Sequence, residues 1–175
     1  ASNGEEQITG FHLASELIGL SGYDAGSYPL TAKALETTTV CEIPLPQLDT
    51  LADELPDLRK QLMRTMGTEI RHDQNMMLLL SKKNAEERVA SFLLDISQRY
   101  QRRGFSASHF RLPMSRVDIS NYLGLAVETI SRVFTRFQNN ELIETQGKEI
   151  ILRDMDALYE MAGLVSSTHC EKHDE

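Results

Sequence analysis

Two short helices joined by a sharp turn are predicted by residues 115–137, SRVDISNYLGLAVETISRVFTRF. Ser115 is followed three residues later by Asp118, the spacing of a capping box that satisfies free N–H groups of the first helical turn. Gly124 lies where the apolar pattern of the first helix ends, and glycine allows the backbone to turn sharply there. This arrangement is typical of a helix-turn-helix, in which the second helix reads DNA.

The second predicted helix has one apolar and one polar face. Its apolar positions recur at helical spacing and predict a stripe buried against the first helix. They are Val127, Ile130, Phe134 and Phe137. The polar face carries Glu128, Ser131 and Arg132 near its N-terminal end, where a helix-turn-helix makes base contacts. We expect these three side chains to read base edges, because arginine suits guanine, glutamate suits the cytosine amino group and serine is adaptable.

Other side chains around this helix are expected to contact the DNA backbone or the flanks of the site. They are Ser115, Arg116, Thr129, Thr135, Arg136 and Lys148. Directly after the helix, residues 142–152 form two β-prone runs around a turn at Gln146 and Gly147, which predicts a hairpin wing. The alternative from another class is a coiled-coil interaction module whose helical hairpin docks protein instead of DNA.

The charge distribution indicates a nucleic-acid partner although the chain has a formal net charge of −8. Residues 1–58 hold one lysine against ten acidic residues, whereas residues 99–136 hold seven arginines against two acidic residues. A local positive patch can attract DNA and neutralise phosphates even in an acidic protein. Double-stranded DNA is therefore the expected partner, with an affinity that falls steeply as salt rises.

Signals for an enzyme, a membrane protein or a disulfide framework are absent from the sequence. There is no phosphate-binding loop, dinucleotide-binding turn or HExxH pair, so no enzyme activity is expected. No apolar run approaches the roughly 18 residues of a membrane span, and the first residues do not resemble a signal peptide. Cys41 and Cys170 lie in very different contexts. We expect a soluble cytoplasmic protein with no membrane partner.

The first half of the chain changes from a β pattern to a helical one. Residues 1–47 alternate apolar and polar residues, but the strands are too few to close a sheet, so we expect an N-terminal portion of that domain to be missing. Residues 48–82 predict one long helix with an apolar seam for a second copy of the chain. The seam is Leu55, Leu58, Leu62, Met66, Ile70, Asp73, Met77 and Leu80. The alternative is a long core helix within one subunit.

Asp73 is the carboxylate on this otherwise apolar seam. In a homodimer two such charges would repel each other and make association weak or switchable, unless Asp73 lies beside the seam. After the long helix, residues 84–100 predict another amphipathic helix and residues 102–110 an exposed loop. The charged residues from 82 to 88 are expected to form a solvated helix face with i, i+4 pairs.

These residues resemble the FNR/ANR type of the CRP/FNR family of bacterial transcription regulators. The similarity covers nearly all of the chain and is most specific in residues 34–44 (ALETTTVCEIP), 78–88 (LLLSKKNAEER) and 121–132 (NYLGLAVETISR). It implies an α+β fold, mainly α, in an N-terminally truncated chain. The implied parts are the C-terminal portion of a β-roll sensor domain (1–47), a dimerisation helix (48–82), a winged helix-turn-helix domain (83–156) and a C-terminal tail (157–175).

The resemblance also implies roles for individual residues. Glu128, Ser131 and Arg132 match the family's Glu-x-x-Ser-Arg recognition triplet, which reads palindromes with TTGAT half-sites. Cys41 matches one ligand of an oxygen-labile 4Fe–4S cluster, and Asp73 matches an acidic position that keeps the cluster-free protein monomeric. Oxygen would destroy the cluster and loosen the homodimer, so the intact protein would control anaerobic gene expression. Two surfaces resemble those that contact RNA polymerase, residues 37–40 and 103–110.

Two departures from the family pattern bear on the signal. The family's other cluster cysteines are absent, so this chain alone is expected to hold no cluster. Cys170 lies in a polar tail between two histidines and is expected at most to bind metal adventitiously. Residues 27–32 lack the arginine that the cyclic-nucleotide branch places on phosphate, so cyclic AMP is not the expected effector. A family member that responds to another ligand, such as haem, is the alternative.

Overall fold

The computed structural model describes residues 6–23 and 26–164, and this part of the chain is mainly helical with one small antiparallel sheet. The helices are α1 Leu45–Glu54, α2 Pro56–Lys82, α3 Ala85–Arg102, α4 Arg116–Leu123, α5 Val127–Asn139 and α6 Met155–Met161. The strands are β1 His109–Arg111, β2 Ile143–Gln146 and β3 Glu149–Leu152. The predicted α+β class, mainly α, is confirmed.

The described residues form two compact units. The first, called here the winged-helix unit, comprises residues 6–9 and 79–164. The second, called the smaller unit, lies within residues 10–78. The division falls inside α2, which runs unbroken from Pro56 to Lys82.

The core of the winged-helix unit is built by helix packing around α3 and α5. Helix α3 packs on α5, α6 and β1, while α4 and β2 pack on α5. Several large side chains are fully buried here, each stabilising the fold by about 1.5–3 kcal/mol. They are Val89, Leu93, Leu94, Ile96, Ile119, Leu123, Ile130, Phe134, Phe137, Ile150 and Leu158.

Helix α4 begins and ends at the predicted residues. The Ser115 hydroxyl accepts from the Asp118 N–H at 3.1 Å, and the Asp118 carboxylate accepts from the Ser115 N–H at 2.7 Å, which completes the capping box. At the other end Gly124 has φ 61° and ψ 41°, a left-handed conformation that favours glycine. Helix α4 therefore ends at the point where the chain changes direction before α5.

Replacement of Ser115 by alanine should lower the free energy of unfolding by about 1 kcal/mol, because the Asp118 N–H loses its acceptor. Urea unfolding followed by circular dichroism measures the change. Gln101→Ala, on the exposed surface of α3, is the control and should shift stability by no more than about 0.5 kcal/mol. Equal stabilities for the two variants would show that the capping box contributes nothing.

The sheet has the strand order β1–β3–β2, with antiparallel neighbours. Gln146 pairs with Glu149, so the turn of the wing is Gly147 and Lys148, one residue later than predicted. Strand β1, His109–Arg111, overlaps the end of residues 102–110, which were predicted to be an exposed loop. That prediction is wrong at Phe110, which is 4% exposed and stacks on Tyr100 with 5.3 Å between ring centroids. The strand alternates exposed, buried and exposed, and its apolar position faces the core.

Residues 6–8 are bound to α4 by Asn121. The side-chain amide of Asn121 donates to the carbonyl of Glu6 at 2.8 Å, and its oxygen accepts from the Ile8 N–H at 2.6 Å. The Gln7 side chain donates to the backbone carbonyl of Asn121 at 2.7 Å. Asn121 therefore pairs with the backbone of this segment in the way that a neighbouring strand would.

The β-structure predicted for residues 1–47 does not form in the part that the structure describes. Residues 6–23 and 26–44 contain a 3-10 turn at Leu20–Gly22 but no strand. A strand needs a neighbour for its backbone groups and a core for alternate side chains. The apolar side chains Val40 and Ile43 have no such core, since they are 75% and 49% exposed.

The single helix predicted for residues 48–82 is interrupted. Helix α1 ends at Glu54, Leu55 is extended with φ −119° and ψ 91°, and α2 begins at Pro56. Proline disfavours the helical conformation of the residue before it and suits the first position of a helix. Leu55 therefore lies at the break and not on the seam of α2.

Helix α6 extends the packed core beyond the predicted start of the tail at residue 157. Leu158 and Ala162 are 0% and 1% exposed, and α6 packs on α3. Asp154 caps the helix by accepting from the Ala157 N–H at 2.9 Å. The predicted start of the tail at residue 157 is therefore too early. Leu158 and Ala162 belong to the core that α6 forms with α3. Cys170 and its neighbouring histidines lie outside the described residues.

Candidate nucleic-acid interface

Helix α5 presents the predicted base-reading side chains on an exposed face. Glu128, Ser131 and Arg132 are exposed, as is Thr135. The opposite face is buried and consists of Ile130, Val133, Phe134 and Phe137. Val127 was predicted to lie in the buried stripe but is half-buried. Val133, which was not in the predicted stripe, is buried. The core thus fixes which way the polar face points.

The polar side chains of α5 are held along the helix by bonds to its own backbone. The Ser131 hydroxyl donates to the Val127 carbonyl at 3.0 Å, and the Arg132 Nε donates to the Glu128 carbonyl at 3.3 Å. A serine hydroxyl has one donor, so Ser131 presents acceptor lone pairs to a partner. Arg132 keeps the planar pair of Nη groups for a bidentate contact.

Arg116 ties α4 to α5. Its guanidinium carbon lies 3.4 Å from the centre of the Phe134 ring, a cation–π contact. Burial at this position lowers the pKa of Arg116, but arginine keeps its positive charge at neutral pH. The residue predicted to touch the DNA backbone is therefore also part of the packing that orients α5.

Three further side chains predicted for the DNA backbone or flanks have partners within the protein. Arg136 forms an ion pair with Glu86 on α3. Lys148 donates to the Pro113 carbonyl at 2.8 Å. Thr135 donates to the Ser131 carbonyl at 3.0 Å, and Thr129 is half-buried. Glu86 could not be found from sequence as the partner of Arg136, because 50 residues separate the two.

The predicted seam on α2 is largely exposed. Ile70, Met77 and Leu80 are 57%, 71% and 38% exposed, while Leu62 and Met66 are half-buried. Asp73 is exposed on the same helix. Among the described residues, no helix combines the length and apolar character required to cross a membrane.

Cys41 supplies one thiol and lies exposed in the irregular segment before α1. A 4Fe–4S cluster takes four cysteine ligands. Within residues 6–23 and 26–164, no three His, Cys, Asp or Glu side chains lie together as metal ligands. The described residues alone therefore do not fit the cluster.

A capped first helix, a second helix with an exposed polar face and a three-stranded wing define a winged helix-turn-helix DNA-binding protein. The Crp-like helix-turn-helix domain family matches residues 87–161. The chain is 66% identical over 160 residues to the transcriptional activator protein FnrA of Stutzerimonas stutzeri, covering 91% of this chain and 66% of that protein. It is 64% identical over 163 residues to the transcriptional activator protein Anr of Pseudomonas protegens, covering 93% and 67%.

Among solved structures, FixK2 from Bradyrhizobium japonicum is similar with a TM-score of 0.61 and 34% identity, covering 69% of this chain and 60% of that one. The chain spans about two thirds of the length of the curated relatives named here. It belongs to the FNR/ANR type of the CRP/FNR family of transcription regulators. The predicted family is confirmed, and the family is one of regulators and not of enzymes.

Proposed function

We propose that this chain binds double-stranded DNA sequence-specifically as a homodimer and regulates transcription, with α5 in the major groove. The observation that carries the proposal is the exposed polar face of α5, where Glu128, Ser131 and Arg132 stand on a helix whose other face is buried. The names of the relatives, which are transcriptional activators, support the same role.

Each base-reading side chain suits a different group on the base edges. The two Nη groups of Arg132 match the O6 and N7 acceptors of guanine, and the Glu128 carboxylate can accept from a cytosine amino group. Ser131 can accept from an amino group of either adenine or cytosine. A TTGAT half-site contains a guanine on one strand and a cytosine on the other, so it offers a partner to all three.

The backbone and flank contacts proposed for this complex come from side chains around α4, α5 and the wing. They are Ser115, Arg116, Thr129, Thr135, Arg136 and Lys148. Arg136 can exchange Glu86 for a phosphate at small cost, because an exposed ion pair contributes only about 0–1 kcal/mol. Each phosphate neutralised by a basic side chain releases counterions, so affinity should fall as salt rises.

The homodimer is proposed to form along α2. Ile70, Met77 and Leu80 expose apolar surface at helical spacing on one side of this 27-residue helix. Burial of that surface against a second copy would stabilise association at about 25 cal/mol per Å². A dimer supplies two α5 helices, one for each half-site, and its twofold symmetry matches that of a palindrome.

Replacement of Asp73 by alanine should shift the chain from monomer toward dimer. Removal of two like charges from the seam should lower the dimer dissociation constant about tenfold or more, which is about 1.4 kcal/mol. Sedimentation equilibrium measures the constant. Asp57→Ala, an acidic residue of the same helix outside the seam, is the control. An unchanged mass for Asp73→Ala would contradict the seam assignment.

The signal proposed for the intact protein is oxygen, sensed through a 4Fe–4S cluster of which Cys41 would be one ligand. The proposal rests on the family to which the chain belongs. When bound, the cluster would supply iron that is held by thiolates and is labile to oxygen. The regulated genes would be those of anaerobic growth, in the cytoplasm, where RNA polymerase would contact residues 37–40 and 103–110. A haem-responsive regulator is the alternative, and iron and sulfide analysis of the full-length protein distinguishes the two.

The DNA proposal is tested by fluorescence anisotropy of this chain with a TTGAT palindrome and a scrambled duplex across a salt series. We expect tighter binding to the palindrome and weaker binding to both duplexes as salt rises. Equal binding to the two duplexes would contradict sequence-specific recognition. If neither duplex binds, even with the Asp73→Ala protein at a concentration where it is dimeric, the interaction-module alternative is favoured.

A further inference from the structure

Helix α2 carries a cluster of methionines between residues 63 and 77. Four of the seven methionines of the chain lie there, namely Met63, Met66, Met76 and Met77. Met63 and Met77 are 61% and 71% exposed, whereas Met66 and Met76 are half-buried. Methionine is among the residues most often buried, and where it is exposed it is common on adaptable binding surfaces. Two exposed thioether side chains are therefore unusual for a helix face that meets only solvent.

The two exposed methionines lie on one line along α2, together with Ile70. Residues 63, 70 and 77 are seven apart, close to two turns of an α-helix, so their side chains leave the helix in nearly the same direction. Ile70 is 57% exposed, and the three residues are called here the methionine stripe. Met63 was not in the predicted seam, which has the half-buried Leu62 one residue earlier. The exposure pattern therefore extends the apolar seam to Met63.

The thioether groups of the methionine stripe can be oxidised by a peroxide, whereas the side chain of Ile70 cannot. Hydrogen peroxide transfers one oxygen atom to the sulfur, so that the S–O bond forms as the O–O bond breaks. The proton of the transferred oxygen goes to the departing hydroxide, which leaves as water. Sulfur loses two electrons and the peroxide gains them. The product, methionine sulfoxide, is polar and chiral, whereas the original side chain is apolar and flexible.

Sulfoxides at Met63 and Met77 would oppose association along the seam. The predicted seam consists of apolar side chains and the acceptor Asp73, so it contains no side-chain donor for a sulfoxide oxygen. A polar group that is buried without a hydrogen-bond partner costs free energy. Two facing copies of α2 would each bring two such oxygens into the interface. Oxidation of the methionine stripe therefore favours the monomer over the dimer.

We propose that Met63 and Met77 are sites of reversible oxidation by peroxide, and that their sulfoxides keep the chain monomeric and weaken its binding to palindromes. This inference rests on the proposed function as a homodimer that forms along α2. Both side chains are open to solvent in one chain and would be covered by a second copy, so the monomer is oxidised faster than the dimer. Methionine sulfoxide reductases, one for each sulfoxide epimer, restore the thioether. The modification acts on α2 itself and needs no iron–sulfur ligand.

The test uses the whole chain with Asp73→Ala as the parent, so that a dimer can be measured. Cys41→Ser and Cys170→Ser are present in every sample, so thiol oxidation cannot contribute. Each protein is treated with hydrogen peroxide at a dilution where it is monomeric, freed of peroxide with catalase and concentrated. Peptide mass spectrometry locates the sulfoxides, and sedimentation equilibrium measures the dimer dissociation constant. Fluorescence anisotropy compares the affinity for the palindrome with that for a single half-site.

Two double variants of this parent separate the methionine stripe from the other methionines. Met63→Leu with Met77→Leu is the resistant protein, because leucine and methionine replace each other at similar volume and leucine is not oxidised. Met155→Leu with Met161→Leu is the matched control, since these two methionines are half-buried in α6. Circular dichroism of each oxidised protein reports whether the helices remain folded.

Peroxide should raise the dimer dissociation constant of the parent and of the α6 control by about tenfold or more, because polar oxygens then enter the seam. Palindrome affinity should fall with it, while single half-site affinity is kept. The resistant protein should dimerise after peroxide as it did before. Reductase treatment of the oxidised parent should restore its dimer.

The contrary outcomes are distinct from one another. An unchanged dissociation constant in a parent that carries both sulfoxides, or an equal rise in the resistant protein, would overturn this inference alone. Absence of sulfoxide at Met63 and Met77 would overturn it as well, as would loss of helical signal in the oxidised parent, because the effect would then be unfolding. A parent that forms no dimer before peroxide would overturn the proposed dimeric function and this inference with it.

Discussion

Replacement of Arg132 by alanine should weaken binding to a TTGAT palindrome by about 1–3 kcal/mol per half-site and relax discrimination at one base pair. Arg132 is exposed on α5, and its Nε is already held by the Glu128 carbonyl at 3.3 Å. The two Nη groups are therefore oriented before DNA arrives, and a bidentate guanine contact loses little conformational entropy. Alanine removes both hydrogen bonds and leaves the guanine acceptors unpaired.

The measurement is anisotropy against the palindrome and against duplexes in which each base pair of the half-site is changed in turn. The variant should lose its preference at the guanine position and keep its preferences elsewhere. Arg102→Ala removes an equal charge from an exposed site on α3 and is the control for loss of general attraction. A loss of the same size on every duplex would instead make Arg132 a phosphate ligand.

Replacement of Phe134 by alanine should lower the free energy of unfolding of the winged-helix unit by about 3–5 kcal/mol. Phe134 is 2% exposed, and its ring also carries the cation–π contact with Arg116. The substitution therefore creates a cavity between α4 and α5 and removes the partner of a half-buried cation. Because domains are typically stable by only about 5–15 kcal/mol, this loss is a large fraction of the total.

Phe105 offers a matched control for that experiment. It is 62% exposed and touches only the edge of the Tyr100 ring among the aromatic contacts described for it. Phe105→Ala should therefore cost less than about 1 kcal/mol. Urea unfolding followed by circular dichroism compares the two variants. Similar losses for both would contradict the placement of Phe134 in the core between α4 and α5.

The helix-turn-helix was predictable because its signals are local in sequence. The Ser115–Asp118 capping box, the left-handed Gly124 and the apolar period of α5 each depend on residues within one or two helical turns. The polar face of α5 followed directly from that period. Pro56, the first residue of α2, was also a local signal, yet the apolar spacing continues on either side of it and concealed the break.

Features that depend on distant partners could not be predicted. Strands for residues 1–47 need neighbours that the alternation of apolar residues does not provide. Arg88 reaches Leu123 across 35 residues, and Lys83 reaches Ala162 across 79 residues. In sequence, these two cations looked like members of a solvated helix face, because nothing in the pattern indicates which carbonyl a basic side chain will meet.

The pairing of Asn121 with residues 6–8 has a consequence for the order of folding. Its hydrogen bonds join residues 113 to 115 positions apart, whereas the bonds within α4, α5 and the β2–β3 hairpin join near neighbours. Contacts with a large sequence separation form late, because a long loop must close before any bond is gained. The helices and the β2–β3 hairpin can therefore form first, and the pairing of residues 6–8 with Asn121 completes the unit as a late step.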